Sequence, residues 1–206
     1  SRGLGDVYKR QFLESTYGDE DRPCVDHAER RERLAGIVQD AVHPAGALLI
    51  PAFAVERTQE ICWDLVTLMQ AGRIPKAPIA VDSPLAIRAT EVFLEHAQEL
   101  ENGRAVRRAL RSPLLQFTES VEQSRRIAEI EGFHIIIAGS GMCDAGRIRH
   151  HLKRWLWSPD ATVLLTGYQQ QLPHPAGQHP PGGHQGEQAK HHIHCPGQLR
   201  AAAALD

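Results

Sequence analysis

A strand, loop and helix between residues 133 and 154 constrain the fold of this chain most strongly. The apolar run Phe133–Ala138 stops at the small-residue loop Gly139–Met142, and a basic, histidine-rich segment follows. In α/β proteins, this arrangement presents backbone N–H groups and a helix N-terminus to an anion. A phosphate-bearing ligand is therefore predicted. A polymer is favoured over a single nucleotide by the basic residues that follow, which are Arg147, Arg149, His150, His151, Lys153 and Arg154.

Strands and helices alternate along the chain. Apolar runs predict strands near residues 12–17, 47–50, 78–82, 114–117, 133–138 and 161–166. Helical spacing predicts helices over 55–70, 84–101 and 145–156. Two further helices have alternative capping residues: one runs from Asp19 or Asp26 to residue 41, and one from Thr118 or Ser120 to residue 131, with Glu122 within reach of a capping box. Residues 101–111 read as a charged excursion without an assigned element. Alternation of this kind predicts an α/β fold with a doubly wound, mostly parallel sheet flanked by helices.

Polar side chains stand at several predicted strand ends. Glu14, Asp82 with Ser83, and the Ser140 loop all occupy such positions, as do the apolar Ala52 and Phe53. Ligands of open parallel sheets bind at the carboxyl ends of the strands, so most of these groups are expected at one edge. Ser83 followed by Pro84 is a favoured helix start, which accounts for Ser83 as an N-cap. Asp82 and Ser83 are predicted to shape a cleft there.

Charge, apolar runs and cysteine spacing limit the functions that this chain can have. The formal net charge is −2, so nucleic-acid binding must come from a local patch and not from bulk charge. No apolar run approaches the length of a membrane span, and the N-terminus has no signal-peptide pattern. The cysteines are scattered, with no CxxC pair, which favours free thiols and a cytoplasmic location.

The two ends differ in composition from the middle. Residues 1–11 have no clear period and read as a non-native leader. Residues 171–206 are rich in Gln, His, Pro and Gly, and read as a low-complexity tail. Our hypothesis is that the tail is partly out of frame, which a second read of the coding DNA would test. The His191–His194 cluster lies in this tail and is not taken as a metal site.

Four ordered motifs carry a family resemblance. They are Glu14–Asp19, Ile50–Glu60, Asp82–Ala86 and Ser140–His151. Together they resemble the β-CASP nucleases of the metallo-β-lactamase fold, a group with bacterial RNA-processing enzymes and the endonuclease subunit of pre-mRNA 3′-end cleavage. The resemblance implies that 12–30 is the edge of the metallo-β-lactamase domain, 31–158 the β-CASP domain, and 159–170 a return to the first domain.

The resemblance also implies an activity. Family members cleave RNA with two zinc ions that activate a bridging water, and the ligand motifs belong outside this chain. This chain would therefore supply no metal ligand and be inactive by itself, as a cap that clamps single-stranded RNA. Glu14 matches the acidic residue that orients a catalytic histidine. The predicted RNA contacts are Arg57, Ser140, Gly141, Met142, Arg147, His150, His151 and Lys153.

Two other functions stay open at this point. The first is a non-catalytic relative that keeps the fold, lacks the metal ligands and serves as a scaffold in RNA processing. The second, which ignores the resemblance, is a small α/β protein that binds a mononucleotide at the Gly139 loop. A homodimer and an RNA-processing complex are both compatible with the sequence, and no membrane partner is expected.

Overall fold

The computed structural model describes residues 26–100 and 102–167, together with the backbone of 200–202. Its helices are α1 His27–Ala41, α2 Arg57–Gln70, α3 Pro84–Glu95, α4 Gly103–Leu110, α5 Val121–Arg126 and α6 Ile148–Trp155. Its strands are β1 Ala47–Pro51, β2 Ile79–Asp82, β3 Leu115–Phe117, β4 His134–Ala138, β5 Ala161–Leu164 and β6 Arg200–Ala202. Short 3₁₀ turns cover Ala97–Glu99 and Ile127–Glu129.

The strands form one parallel sheet in the order β3-β2-β4-β1-β5-β6. Strands β1 and β4 lie at its centre, with Leu49 paired to Ile136, and every residue of both is buried. Because helices cover both faces of the sheet, these strands read as continuous apolar runs without alternation. The predicted α/β fold with a parallel sheet is confirmed.

The helices divide between the two faces of the sheet. Helices α1, α2 and α4 bury their apolar sides in one large core together with Leu48 and Ile50 of β1. Helix α6 packs Ile148 and Leu152 against the other face of the same strand, which carries Leu49. This division is the doubly wound arrangement that the alternating sequence predicted.

Several element boundaries differ from the sequence prediction. Helix α3 ends at Glu95, and the stretch assigned to no element contains helix α4, which buries Val106, Ala109 and Leu110. The capping box of α5 joins Ser120 to Gln123 and not to Glu122. With Ser120 as N-cap, Gln123 is the third helical residue, which is the position whose side chain reaches back to the cap.

The predicted domain limits stay a prediction, and two elements lie across or beside them. Helix α1 runs without interruption through the limit at residue 30. Strand β5, which was assigned to a returning domain, pairs with β1 along Ala47–Leu49 and belongs to the same sheet. The leader at 1–11, Glu14 and the side chains of the tail at 171–206 lie outside the described residues. Over the ranges described, no helix is both long and apolar enough to cross a membrane.

Candidate nucleic-acid interface

The carboxyl ends of the strands bring polar groups to one edge of the sheet. Strand β2 ends at Asp82, Thr118 follows β3, and the Gly139 loop follows β4. Thr166 follows β5 and donates a hydrogen bond to the backbone oxygen of Pro51 at 3.0 Å. The expected convergence of Asp82, Ser83 and the Ser140 loop at this edge agrees with these positions. In parallel sheets this is the edge where ligands bind.

Asp82 is the centre of a buried hydrogen-bond cluster. Its side chain is 0% exposed, and both carboxylate oxygens are used. Thr118 Oγ1 and Arg147 Nη1 each donate to Oδ1 at 2.6 Å. Ser124 Oγ donates to Oδ2 at 2.6 Å, and His151 Nε2 lies 2.7 Å from the same oxygen. This single carboxylate therefore connects β2 to the end of β3, to α5 and to the loop and helix after β4.

The surroundings of Asp82 keep it ionised. Burial by itself raises the pKa of a carboxyl group, because the charged form loses its hydration. Here the hydrogen bonds from His151, Ser124, Thr118 and Arg147 together outweigh burial and hold the pKa of Asp82 well below its ordinary range. The site therefore contains a fixed negative charge whose partners are all internal.

Arg147 forms hydrogen bonds inside the protein. Besides Asp82, its guanidinium donates to the backbone oxygens of Thr118 at 3.0 Å and Glu119 at 2.6 Å. A guanidinium with its planar fork of donors suits this role, since it satisfies a carboxylate and two carbonyls at once. Arg147 thereby ties the loop after β4 to the segment after β3. Its predicted contact with RNA stays a prediction.

The two adjacent histidines face different surroundings. His151 is buried and points at Asp82, whereas His150 is exposed. The helix therefore turns one of the two histidines into the sheet edge and the other away from it. Arg149, Lys153 and Arg154 of α6 are exposed like His150, and Arg154 donates to the backbone oxygen of Ala128 at 3.0 Å.

The Ser140 loop is closed by its own hydrogen bonds. Ser140 Oγ donates to Asp144 Oδ1 at 2.5 Å and accepts from the backbone N–H of Met142 at 3.2 Å. Gly146, at φ 74°, lets the loop return so closely that a Cβ atom there would stand 2.4 Å from the oxygen of Gly139. Helix α6 consequently begins at Ile148, three residues after the predicted start at 145.

Phe53 lies beside the Ser140 loop, at the edge where its position after the apolar run 47–50 predicted it. Its side chain lies directly beside Gly141, where a Cβ atom would stand 2.9 Å from two ring carbons, and it remains 47% exposed. Its backbone oxygen accepts from Thr58 Oγ1 at 2.7 Å, which fixes the segment against α2. The sequence placed Phe53 at a strand end but did not include it among the predicted RNA contacts. Thr118 and Ser124, which donate to Asp82, were not predicted as site residues either.

Arg57 lies in an ion-pair network on α2. Its Nη1 is 2.9 Å from Glu60 Oε2, and Glu60 also pairs with Arg30 of α1. The preceding Glu56 has φ 66° and ψ −66°, and the N–H of Arg57 closes a tight γ-turn onto the oxygen of Val55 at 2.8 Å. The structure thus gives Arg57 a structural partner, and its RNA contact remains a prediction.

Ser83 caps α3, as its position before Pro84 predicts. Its Oγ accepts from the N–H of Ala86 at 3.2 Å. Among the residues that the structure describes, no three His, Cys, Asp or Glu side chains come together as a metal site. The arrangement can hold and orient a ligand at the sheet edge.

Comparison with known proteins gives a consistent family. The profile of the Beta-Casp domain matches residues 58–172. A ribonuclease of Thermus thermophilus is 36% identical over 165 residues, covering 78% of this chain and 37% of the relative. A transcription termination factor of Methanosarcina mazei is 28% identical over 164 residues, covering 76% of this chain and 25% of the relative.

A eukaryotic relative aligns over a similar part of the chain. An endoribonuclease of Schizosaccharomyces pombe is 30% identical over 159 residues, covering 76% of this chain and 21% of the relative. The chain therefore spans 37% or less of the length of the relatives described here.

Proposed function

The chain belongs to the Beta-Casp domain family, and from that premise we propose that it is part of a metal-dependent hydrolase that cleaves RNA. In this proposal, the edge of the sheet with the Ser140 loop binds single-stranded RNA. The substrate class is supported by relatives named as a ribonuclease and an endoribonuclease. The activity is proposed for the longer protein, because the chain spans only part of those relatives.

One observation carries the proposed binding site. The Asp82 cluster fixes the Ser140–Arg147 loop at the carboxyl edge through Arg147 and His151, so the loop is organised before any ligand arrives. Preorganised groups bind with less loss of conformational entropy. Phe53 presents a partly exposed ring beside the same loop, and aromatic faces stack on nucleobases without sequence preference. His150 and Lys153 supply exposed groups for phosphate contacts.

The metal centre of this proposal lies outside the described residues. Nucleases of this family are metal-dependent. We propose two zinc ions held by ligands that this chain does not supply, with Glu14 as an orienting carboxylate near them. When bound, the ions would activate water and stabilise charge on the phosphodiester. The described residues would contribute binding and positioning of the RNA and no metal ligation.

Lys153 and Lys76 provide a matched test of the binding site. Both lysines are exposed, but Lys153 lies on α6, the helix that follows the Ser140 loop, whereas Lys76 precedes β2 at the amino end of that strand. We expect Lys153→Gln to weaken binding of a fluorescent single-stranded RNA by roughly threefold to tenfold, and Lys76→Gln to leave it unchanged. Fluorescence anisotropy with the 206-residue chain, at two salt concentrations, measures both affinities.

Competition by mononucleotide separates the proposal from a small nucleotide-binding protein. Displacement of the RNA by micromolar uridine monophosphate would favour the nucleotide-binding protein. Equal loss of affinity in both lysine variants would mean that only bulk charge attracts the RNA. Absence of RNA binding by the unmodified chain would count against the proposed interface itself. Cleavage by the longer protein, abolished by a chelator, tests the proposed hydrolase and separates it from a non-catalytic scaffold.

A further inference from the structure

Helix α4 carries a stripe of arginines on its outer side. The stripe consists of four exposed arginines: Arg104, Arg107 and Arg108 within α4, and Arg111 at its C-cap. Their spacing of three, four and seven residues places them along one side of the helix. The opposite side buries Val106, Ala109 and Leu110 in the core shared with α1 and α2. The packing therefore fixes which way the arginines point, and we call these four residues the α4 stripe.

No ion pair among the described residues compensates the charge of the α4 stripe. From Asn102 to Thr118 the sequence contains four arginines and no acidic residue. Arg107 donates one hydrogen bond to the backbone oxygen of Leu94 at 3.2 Å. Within the described part of the chain, the side chains of Arg104, Arg108 and Arg111 have no hydrogen bond or ion pair. By contrast, exposed arginines on α1 and after α2, Arg33 and Arg73, pair with Glu29 and Glu32.

The stripe is separate from the interface described above. Helix α4 belongs to the core on one face of the sheet, and α6, which carries Lys153, packs on the other face. Seven residues of helix span about 10 Å, so the stripe offers guanidinium groups over that distance. Guanidinium groups form bidentate, charge-assisted hydrogen bonds with phosphates, and a row of them suits a polyanion with regularly spaced charges.

We propose that the α4 stripe is a second binding surface for the phosphate backbone of RNA, outside the cleavage cleft. This inference rests on the proposed RNA-cleaving function. It adds a second RNA-binding surface on the helices that cover one face of the sheet. Contacts there would be with phosphates and would carry no base specificity. Their contribution would be to affinity and to retention of long substrates, so short RNAs that reach only the cleft should not depend on the stripe.

A triple substitution with a charge-matched control tests this proposal. The test variant is Arg104→Gln, Arg108→Gln and Arg111→Gln, which spares Arg107 and its bond to Leu94. The control, Arg33→Gln, Arg73→Gln and Lys76→Gln, removes the same charge from exposed positions elsewhere. Affinity for a labelled 30-nucleotide and a labelled 6-nucleotide single-stranded RNA is measured by anisotropy between 50 and 300 mM salt. Circular dichroism and thermal melting check that both variants fold.

We expect the test variant alone to lose about tenfold or more in affinity for the long RNA at low salt. The slope of log affinity against log salt should become less steep by about 2, because each phosphate contact to a single strand contributes about 0.7. Affinity for the short RNA should not change.

If the test variant binds the long RNA as tightly as the unmodified chain, the proposed role of the α4 stripe is wrong. The proposed function would remain intact. Equal losses in test and control variants would also overturn it. The test variant could also lose binding to poly-L-glutamate while it still binds RNA like the unmodified chain. That result would assign the surface to an acidic protein and overturn the proposal as well. Failure of the unmodified chain to bind either RNA would overturn the stripe together with the proposed interface.

Discussion

At the scale of single residues, Asp82 has four internal side-chain partners that the sequence does not predict. Four side chains from different parts of the chain donate to its carboxylate, or in the case of His151 lie within hydrogen-bond distance of it. Removing one partner of a buried charged cluster leaves the others without compensation, and that loss is larger than the net value of any single bond. Asp82 therefore stabilises the fold and the binding edge together.

Asp82→Asn is expected to lower the free energy of unfolding by about 3 kcal/mol at neutral pH. The pKa of Asp82 is lowered in the folded state, so its stabilising contribution is complete above the unfolded-state value of about 4. The contribution is lost as the pH falls below that value toward the folded-state pKa. The difference between the two proteins should consequently be constant above about pH 5 and shrink below about pH 4. Urea denaturation from pH 3 to 7 measures it.

The exposed Glu131 provides the control for that series. Glu131→Gln removes one negative charge from the surface and should change the unfolding free energy by less than about 0.5 kcal/mol. A difference between wild type and Asp82→Asn that grows as the pH falls would contradict the assignment of Asp82 as a buried, ionised acceptor.

At the scale of elements, the loop between β4 and α6 depends on one glycine for its shape. Gly146 and Gly72 both have positive φ, at 74° and 67°. They differ in how much room a side chain would have. A Cβ on Gly146 would stand 2.4 Å from the backbone oxygen of Gly139, whereas a Cβ on Gly72 would meet nothing within 4 Å. The pair separates the cost of an unfavourable φ from the cost of a steric clash.

Gly72→Ala should destabilise the protein by about 1 kcal/mol, the usual cost of a left-handed conformation for a residue with a side chain. Gly146→Ala should cost about 2 kcal/mol more, since the clash also displaces the Ser140 loop. Thermal or urea unfolding gives both values. Equal destabilisation by the two substitutions would mean that the loop can move away from Gly139 at no cost, against the close approach observed here.

Helix α4 was not predicted from the periodicity of apolar residues. It is short, begins with Gly103, and buries only a few side chains among many arginines, so its sequence reads as a charged segment. Its helical state is stabilised by packing on α2 and α3 and not by strong local propensity. By contrast, α2, β1 and β4 were predicted to within two residues, because α2 has a helical apolar period and the two strands are continuous apolar runs with clear ends.

At the scale of the whole molecule, the parallel sheet sets the order of local stability. Leu49 and Ile136 are paired at its centre and have no exposed surface. Strand β3 lies at one edge and contains the exposed Gln116. Elements with many buried contacts open only by global unfolding, whereas edges open locally at lower free energy.

Hydrogen exchange should follow that order. The amides of Leu49 and Ile136 are expected to exchange at the rate of global unfolding, with a free energy equal to that from urea denaturation. Amides of β3 should exchange faster by about tenfold or more, because an edge strand opens without disrupting the core. Equal protection of β3 and β1, measured by NMR or mass spectrometry, would indicate a further element covering that edge.

The sequence by itself determined the fold class, the long strands and helices, and the resemblance that the family match confirms. These properties follow from local periodicity and ordered motifs, which a linear pattern contains. Tertiary structure alone decided the partners of Asp82, which lie 36 to 69 positions away along the chain. It also decided that His151 turns inward while His150 stays exposed, and that Phe53 stands beside Gly141. Such contacts depend on how strands far apart in sequence become neighbours, and no local period encodes that order.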